Sequence, residues 1–530
     1  MNPKMIFLIA LIAVGVISGW PHVHYQELLS QGDHGRDLYA FEEALRGKLP
    51  YKDFWWVYGP LMPFYYAFFY KICGLNIASV LLGKLVLKIL CAVFFYLTAE
   101  LIMPALPAFL SAVWFSQSQQ DFFFTYNHIG GIAAELFIAF CLFSYITGQT
   151  KRLWWALPAV IVYGLIKINF GLASLAVILT AVPLIDHVQK TPFTDNKKKF
   201  YLTALLAVPA IIFVIYWLLV KDLPLYEIRQ CHPYFGDDQP HHFSPLITIP
   251  YYFSQHFMTF MHSPINMVLG LVLHGSTIAT FFFIWTKRLE PVFQRNLLLC
   301  MAVAGLFFVF NFHEFVVSGV WYRTFWSLPF LLLFNFMTMA TALGKAVKWL
   351  RWLMWSALGI LLLLGFVADF ATVQQNHQPY QYLSVERGNV FVGNEPQWTQ
   401  TVNTAAAYLN QTLKKDELFF ALPYDCLYYF LTGKESPTRQ LIFFTHIKIP
   451  MEQELSVIQD LERNHVNYVL MSNRIVSSET GMGVFGKDYC PLIAKYIAAN
   501  FTPVARQGGN WQAEPGWGNN HGVIILKRKL

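Results

Sequence analysis

The 530-residue chain is 56% hydrophobic and 13% charged, with a mean hydropathy of +0.42. Soluble domains carry about 25% charged residues, so this composition argues against an ordinary soluble domain and for a membrane. The net charge of +7 does not indicate nucleic acid, because the basic residues sit in short clusters between apolar runs; the seven cysteines show neither a CxxC pair nor metal-ligand spacing.

The first apolar run, 5–20, follows Lys4. It has the length of a signal peptide, but "VISGWPHVHY" is a poor small-residue cleavage site, so an uncleaved anchor is expected. Further spans are expected at 77–102, 104–116, 130–147, 153–166, 170–185, 201–220, 265–285, 297–312, 325–343 and 352–370. With the first, that makes about eleven, each approaching the roughly 20 residues that cross a bilayer. Basic residues orient them. Lys151 and Arg152, Lys190 and Lys197 to Lys199, Lys287, Arg288 and Arg295, and Lys345, Lys348 and Arg351 all fall on one side if the N-terminus is inside. Segments 21–76, 117–129, 221–264, 313–324 and the tail then fall on the other.

Segment 21–76 is too long for a connector, since most connections run about 4–6 residues. In "DLYAFEEALRG", Leu38, Phe41, Ala44 and Leu45 share one helical side and Glu42, Glu43 and Arg46 the other, with Gly47 as a stop. "GPLMPFYYAFFYKICG" is suited to lying along a membrane surface. Asp33, His34, Arg36 and Asp37 are thus expected just outside the bilayer, where a carboxylate tuned by burial and by Arg36 can serve as a general base. Lys84 and Lys88, one turn apart in the second span, have no partner legible in the sequence. The tail alternates helix and strand patterns ("ELFFALP", "MEQELSVIQDLERNHVNYVLMSN", "HGVIILKRK"), as a small α/β domain would. Cys426 and Cys490 both fall in it, and a disulfide between them is one expectation.

The stretch "DHGRDLYAFEEALRGKLPYKDFWWVYGPLMPFYYAFFYKICG" resembles the first extracytoplasmic loop of GT-C-type membrane glycosyltransferases. The likeness is to the bacterial members of the dolichyl-phosphate-mannose protein mannosyltransferase and aminoarabinose transferase group. Asp33, Gly35, Tyr39, Ala40, Gly47, Pro50, Tyr51, Asp53, Phe54, Gly59 and Pro60 match that loop in order and spacing. A weaker likeness recurs in the tail at "YYFLTGKESPTRQ" and "VIQDLERNHVNYVL". The resemblance implies a polytopic α-helical membrane protein with a GT-C-like module over 1–371 and an extracytoplasmic α/β domain over 372–530, in a bacterial inner membrane. It also implies a hexosyl- or pentosyltransferase that uses a polyprenyl-phosphate-linked sugar and a lipid, glycan or protein acceptor. No cofactor is firmly implied, and a divalent metal stays open.

The family's catalytic aspartate maps onto Asp33. Many members carry Glu beside it where this chain has His34, and Asp37, one turn on, is the candidate second carboxylate. Candidate substrate-binding residues are Arg36, His34, Tyr51, Asp53, His128, Lys167, Asn169 and Arg323. Tyr51 and Asp53 also fit a turn fixed by Pro50. Asp121 and Asn127 accompany His128, and Lys167, breaking an apolar stretch, is the candidate phosphate clamp. "RQCHPYFGDDQPHH" holds His232, His241 and His242, but its spacing fits no standard metal pattern. A flippase of lipid-linked sugars would also show many spans, yet no paired half-repeat is present. An oligosaccharide ligase or polymerase would place its key residues in a large late loop.

Overall fold

The computed structural model describes residues 3–118, 126–231, 254, 264–318, 321–477, 482–516 and 518–529. Each expected apolar run overlaps a helix. Among the described residues, eight helices are long and apolar enough to cross a membrane. They include α1 (Pro3–Gly19), α4 (Ile77–Glu100), α6 (Tyr126–Ile146) and α8 (Ile168–Gln189). The others fall within Asp195–Val220, Pro291–Val316, Leu328–Lys345 and Lys348–Gln375. Of the remaining three runs, two form shorter apolar helices, α5 (Ala105–Ser118) and α7 (Ala156–Ile166), and the third lies in the 22-residue helix Pro264–Trp285. The helix Lys348–Gln375 buries only Trp355, Leu358, Leu362 and Val373, and exposes Ile360, Leu363, Leu364, Val367 and Phe370. Such an apolar exterior with internally bonded backbone is what a hydrocarbon environment requires.

Between the first two spans lie α2 (Gly32–Leu45) and α3 (Leu61–Cys73). Asn76 then caps α4, its side-chain oxygen accepting from the Ser79 N–H at 3.0 Å. On α3, Phe64, Phe68 and Ile72 form an exposed stripe at i, i+4 and i+8, while Met62, Tyr66 and Tyr70 are buried. That pattern suits an interfacial helix. For α2 the amphipathic expectation holds in spacing but not in exposure. Glu42 and Glu43 are buried, because the tail covers the polar side: Arg387 donates to Glu42 at 2.7 Å and Glu435 meets Lys48 at 2.7 Å.

The tail carries two sheets. β1 (Tyr25–Glu27), at the end of α1, pairs in parallel with β3 (Val390–Gly393), whose other edge takes β2 (Tyr382–Leu383). The second sheet has the order β4 (Phe419–Leu422), β5 (Tyr468–Ser472), β7 (Gly522–Arg528), β6 (Phe501–Gly508). Strand alternation divides its core in two. Phe419, Ala421, Tyr468 and Leu470 join the large cluster that runs into the spans, while Phe420, Leu422 and Val469 build a separate one with Ile493 and Leu461. Cys426 belongs to the first cluster and Cys490 to the second, on opposite faces of the sheet. The expected disulfide is therefore absent, and both thiols are free.

Candidate functional site

Asp33 lies in the first turn of α2, where the helix dipole favours a carboxylate. Arg36 and Asp37 follow one turn on. The Arg36 guanidinium stands between the two carboxylates, with Nη1 at 2.6 Å from Asp33 Oδ1 and Nη2 at 2.8 Å from Asp37 Oδ1. Its Cζ lies over the rings of Tyr58 and Trp56, 5.2 and 5.7 Å from their centres. Asp37 is completely buried, and Asn127 donates to its other oxygen at 2.8 Å. The Asp33 side chain keeps 36% of its surface exposed.

Tyr424, from the tail, donates its hydroxyl to Asp33 Oδ1. Burial alone would raise the Asp33 carboxyl, but Arg36 and the Tyr424 hydroxyl outweigh it and hold the group below its ordinary value. For Asp37 burial dominates and pushes the carboxyl up to about 7, although Arg36 opposes this. The two carboxylates thus titrate apart around one shared cation. Asp33 is accessible and ionised; Asp37 is sealed. A divalent ion shared by the two would have to sit where the guanidinium is, so this pair does not fit a metal.

His34 is buried and neutral, driven down to about 3 first by burial and then by the charge of Lys84. Its ring lies edge-on to Tyr126 at 5.2 Å, and neither nitrogen has a hydrogen-bond partner among the described residues. Tyr51 and Asp53 turn into the loop itself. The Tyr51 hydroxyl donates to the Tyr58 carbonyl, and Asp53 accepts from the Leu49 N–H at 2.7 Å. Neither side chain joins the Asp33 cluster; they shape the turn that presents Tyr58.

A second charged group adjoins the first. Lys167 and Arg323 both bond Oε1 of the buried Glu314. Lys167 is buried over the rings of Phe170 and Trp326, 5.1 Å from each centre, whereas the Arg323 side chain is 34% exposed. His128 sits in the wall between the groups, 5.3 Å from the Tyr58 ring and 5.1 Å from Trp326. Asn169 bonds the His313 ring at 2.9 Å. Arg323 is close enough to help hold the Asp33 carboxyl down.

Two glycines permit this assembly. A Cβ on Gly35 would stand 2.6 Å from the Leu427 backbone nitrogen, so only glycine lets α2 meet the tail helix Leu427–Thr432. Gly59 lies against the Leu165 carbonyl and donates to Ile166 O at 2.8 Å, tying the Tyr58 loop to the Lys167 corner.

Sequence spacing missed Tyr424, which falls between the stretch read as a strand, "ELFFALP", and the one read as a helix, "DCLYYFLTG", and gave Glu314 no role. Asp121 and the segment His232–His242 lie outside the described residues. Among the described residues no group of three or more His, Cys, Asp or Glu is placed to hold a metal ion.

The class defined by these features is a polytopic helical membrane protein with a charged cluster where the segment between the first two spans meets a sheet-bearing tail. No protein-family model and no curated protein matches the chain. Among solved structures it is similar to ArnT from Cupriavidus metallidurans bound to undecaprenyl phosphate. The identity is 12%, the coverage 98% of this chain and 97% of that one, and the TM-score 0.55. The Archaeoglobus fulgidus oligosaccharyltransferase in complex with Zn and sulfate matches at 11% identity, over 98% of this chain and 88% of that one, with a TM-score of 0.49. The chain has the fold of ArnT over nearly its whole length.

Proposed function

We propose that the chain is a membrane glycosyltransferase that moves a sugar from a polyprenyl-phosphate donor to an acceptor hydroxyl, with Asp33 as general base. The observation that carries this is the contrast between its two aspartates. Asp33 is partly exposed and held ionised by Arg36 and Tyr424, whereas Asp37 is sealed and braces Arg36. The ArnT fold and the undecaprenyl phosphate bound in that structure support the donor class.

The acceptor O–H gives its proton to an Asp33 oxygen as the acceptor oxygen attacks the anomeric carbon. The bond from that carbon to the phosphate oxygen breaks, and polyprenyl phosphate leaves with the electron pair. Arg323, the exposed member of the Glu314 group, stabilises the charge gathering on the leaving phosphate. Lys167, locked to Glu314 behind it, keeps that corner electropositive. His34, uncharged, packs against Tyr126 and supports the base without sharing its proton. On this reading residues 1–371 form the GT-C-like module, threaded about eleven times through a bacterial inner membrane. The first loop and the tail, 372–530, lie outside, an orientation that the four basic clusters on the opposite side support.

The test is release of polyprenyl phosphate from a polyprenyl-phosphate sugar by the purified chain with acceptor-bearing envelope lipids, glycans or proteins. Sugar transfer matched by that release supports the reading. Movement of the intact lipid-linked sugar across a vesicle bilayer without transfer would replace it with a flippase.

A further inference from the structure

A cavity of about 220 Å³ lies between α1, β1, α4 and the helix Lys348–Gln375. Its α4 wall carries Lys84 and Lys88, one helical turn apart. β1 and the last helix contribute Glu27, Asp369 and Thr372, and His22 closes the end of α1. The two carboxylates are already positioned: Tyr25 donates to Glu27 at 2.9 Å, and the His22 ring meets Asp369 at 2.9 Å. Residues beside or within the lining, Trp20, Leu28, Val86 and Phe370, are large, apolar and exposed. The cavity therefore has a charged interior inside an apolar frame. Charged side chains within a membrane span mark a functional site by default, and neither the Asp33 nor the Glu314 group uses these.

We infer that this cavity seats the headgroup of an amine-bearing phospholipid. Its phosphate lies toward Lys84 and Lys88 and its ammonium toward Glu27 and Asp369. The acyl chains follow the exposed apolar faces of α1 and the last helix. A purely anionic headgroup would meet two carboxylates and a purely cationic one two lysines, whereas phosphoethanolamine answers both. A choline headgroup has the charges but no N–H to give to Glu27 or Asp369. The seat is linked toward the base through aromatic packing: Lys84 Nζ lies 5.8 Å from the Tyr126 ring, which packs on His34, the neighbour of Asp33 in sequence. The inference does not depend on the transfer reaction proposed above.

The test uses the full chain, delipidated in detergent, with lipid binding counted by native mass spectrometry and melting followed in parallel. Phosphatidylethanolamine is expected to bind once per chain, about tenfold more tightly than phosphatidylglycerol or phosphatidylcholine, as loss of one charge-assisted hydrogen bond implies. Lys88→Gln should weaken it about tenfold, and Asp369→Asn should remove its advantage over phosphatidylglycerol. Equal binding of the three lipids by the wild-type chain would overturn the inference, and that arm decides the matter even if both variants fail to fold. An unchanged preference in Lys88→Gln would also overturn it. Free O-phosphoethanolamine stabilising the chain as well as the lipid would overturn the lipid source, showing a site for a soluble aminoalkyl phosphate.

Discussion

Tyr424 donates its hydroxyl to Oδ1 of Asp33, across 391 residues of sequence. The contact joins the tail to the first loop at the carboxylate proposed to take the acceptor's proton. It also makes the tail part of the site, alongside the β1–β3 pairing and the meeting of Gly35 with Leu427.

Tyr424→Phe removes one of the groups that hold the Asp33 carboxyl down. A hydrogen bond to a charged group contributes about 1.5–3 kcal/mol, so turnover is expected to fall about tenfold or more. The acidic limb of the pH–rate profile should move to higher pH, because the Asp33 carboxyl rises when a lowering partner is lost. Donor KM should hardly change. An unshifted acidic limb would separate Tyr424 from the base.

Asp37 gives a stability signature. Its folded carboxyl is raised from 3.8 to about 7, chiefly by burial. A raised group binds its proton more tightly in the folded state, so its contribution is fully present below pH 3.8 and is lost as pH rises through 7. Melting temperature should therefore decline between those values more steeply in the wild type than in Asp37→Asn. Parallel curves for the two proteins would contradict the raised Asp37.

The Glu314 group predicts a split between its two cations. Arg323→Ala, at the exposed position, should weaken polyprenyl-phosphate binding by about tenfold, the equivalent of one charge-assisted contact. Lys167→Met strips a buried partner from Glu314 and should cost stability first, by about 3–5 kcal/mol for a broken buried pair, offset in part by Arg323. Equilibrium lipid binding and thermal melts on the same preparations distinguish the two effects.

Gly35→Ala places a methyl group against the Leu427 backbone, which cannot move as a side-chain tip can. Overpacking of this kind costs about 1–3 kcal/mol. Here it should also pull Asp33 away from Tyr424, so transfer should fall further than stability does. A Gly35→Ala protein with full activity would show that α2 and the tail need not touch.

The spans are legible in the sequence because an apolar run of bilayer length has few other stable fates, and the loop because its carboxylates, aromatics and glycines recur in fixed order. The pairing of Asp33 with Arg36 follows from one helical turn. The burial of Glu42 and Glu43 does not, since it depends on Arg387 and Glu435 arriving from the tail. Tyr424 is invisible for the same reason: nothing local distinguishes it from the buried Tyr428 and Tyr429 nearby. Lys167 stands out as a charge in an apolar stretch, but that Glu314 holds it, and that Arg323 is the exposed cation, appears only when three separate segments meet.

The central claim is tested most directly by Asp33→Asn, with donor binding and sugar transfer measured on the same purified protein. The variant is expected to fold and bind the polyprenyl-phosphate sugar within about twofold of wild type, while transfer falls about 100- to 10,000-fold, the range for loss of a general base. Transfer at the wild-type rate by Asp33→Asn would contradict the assignment of the base.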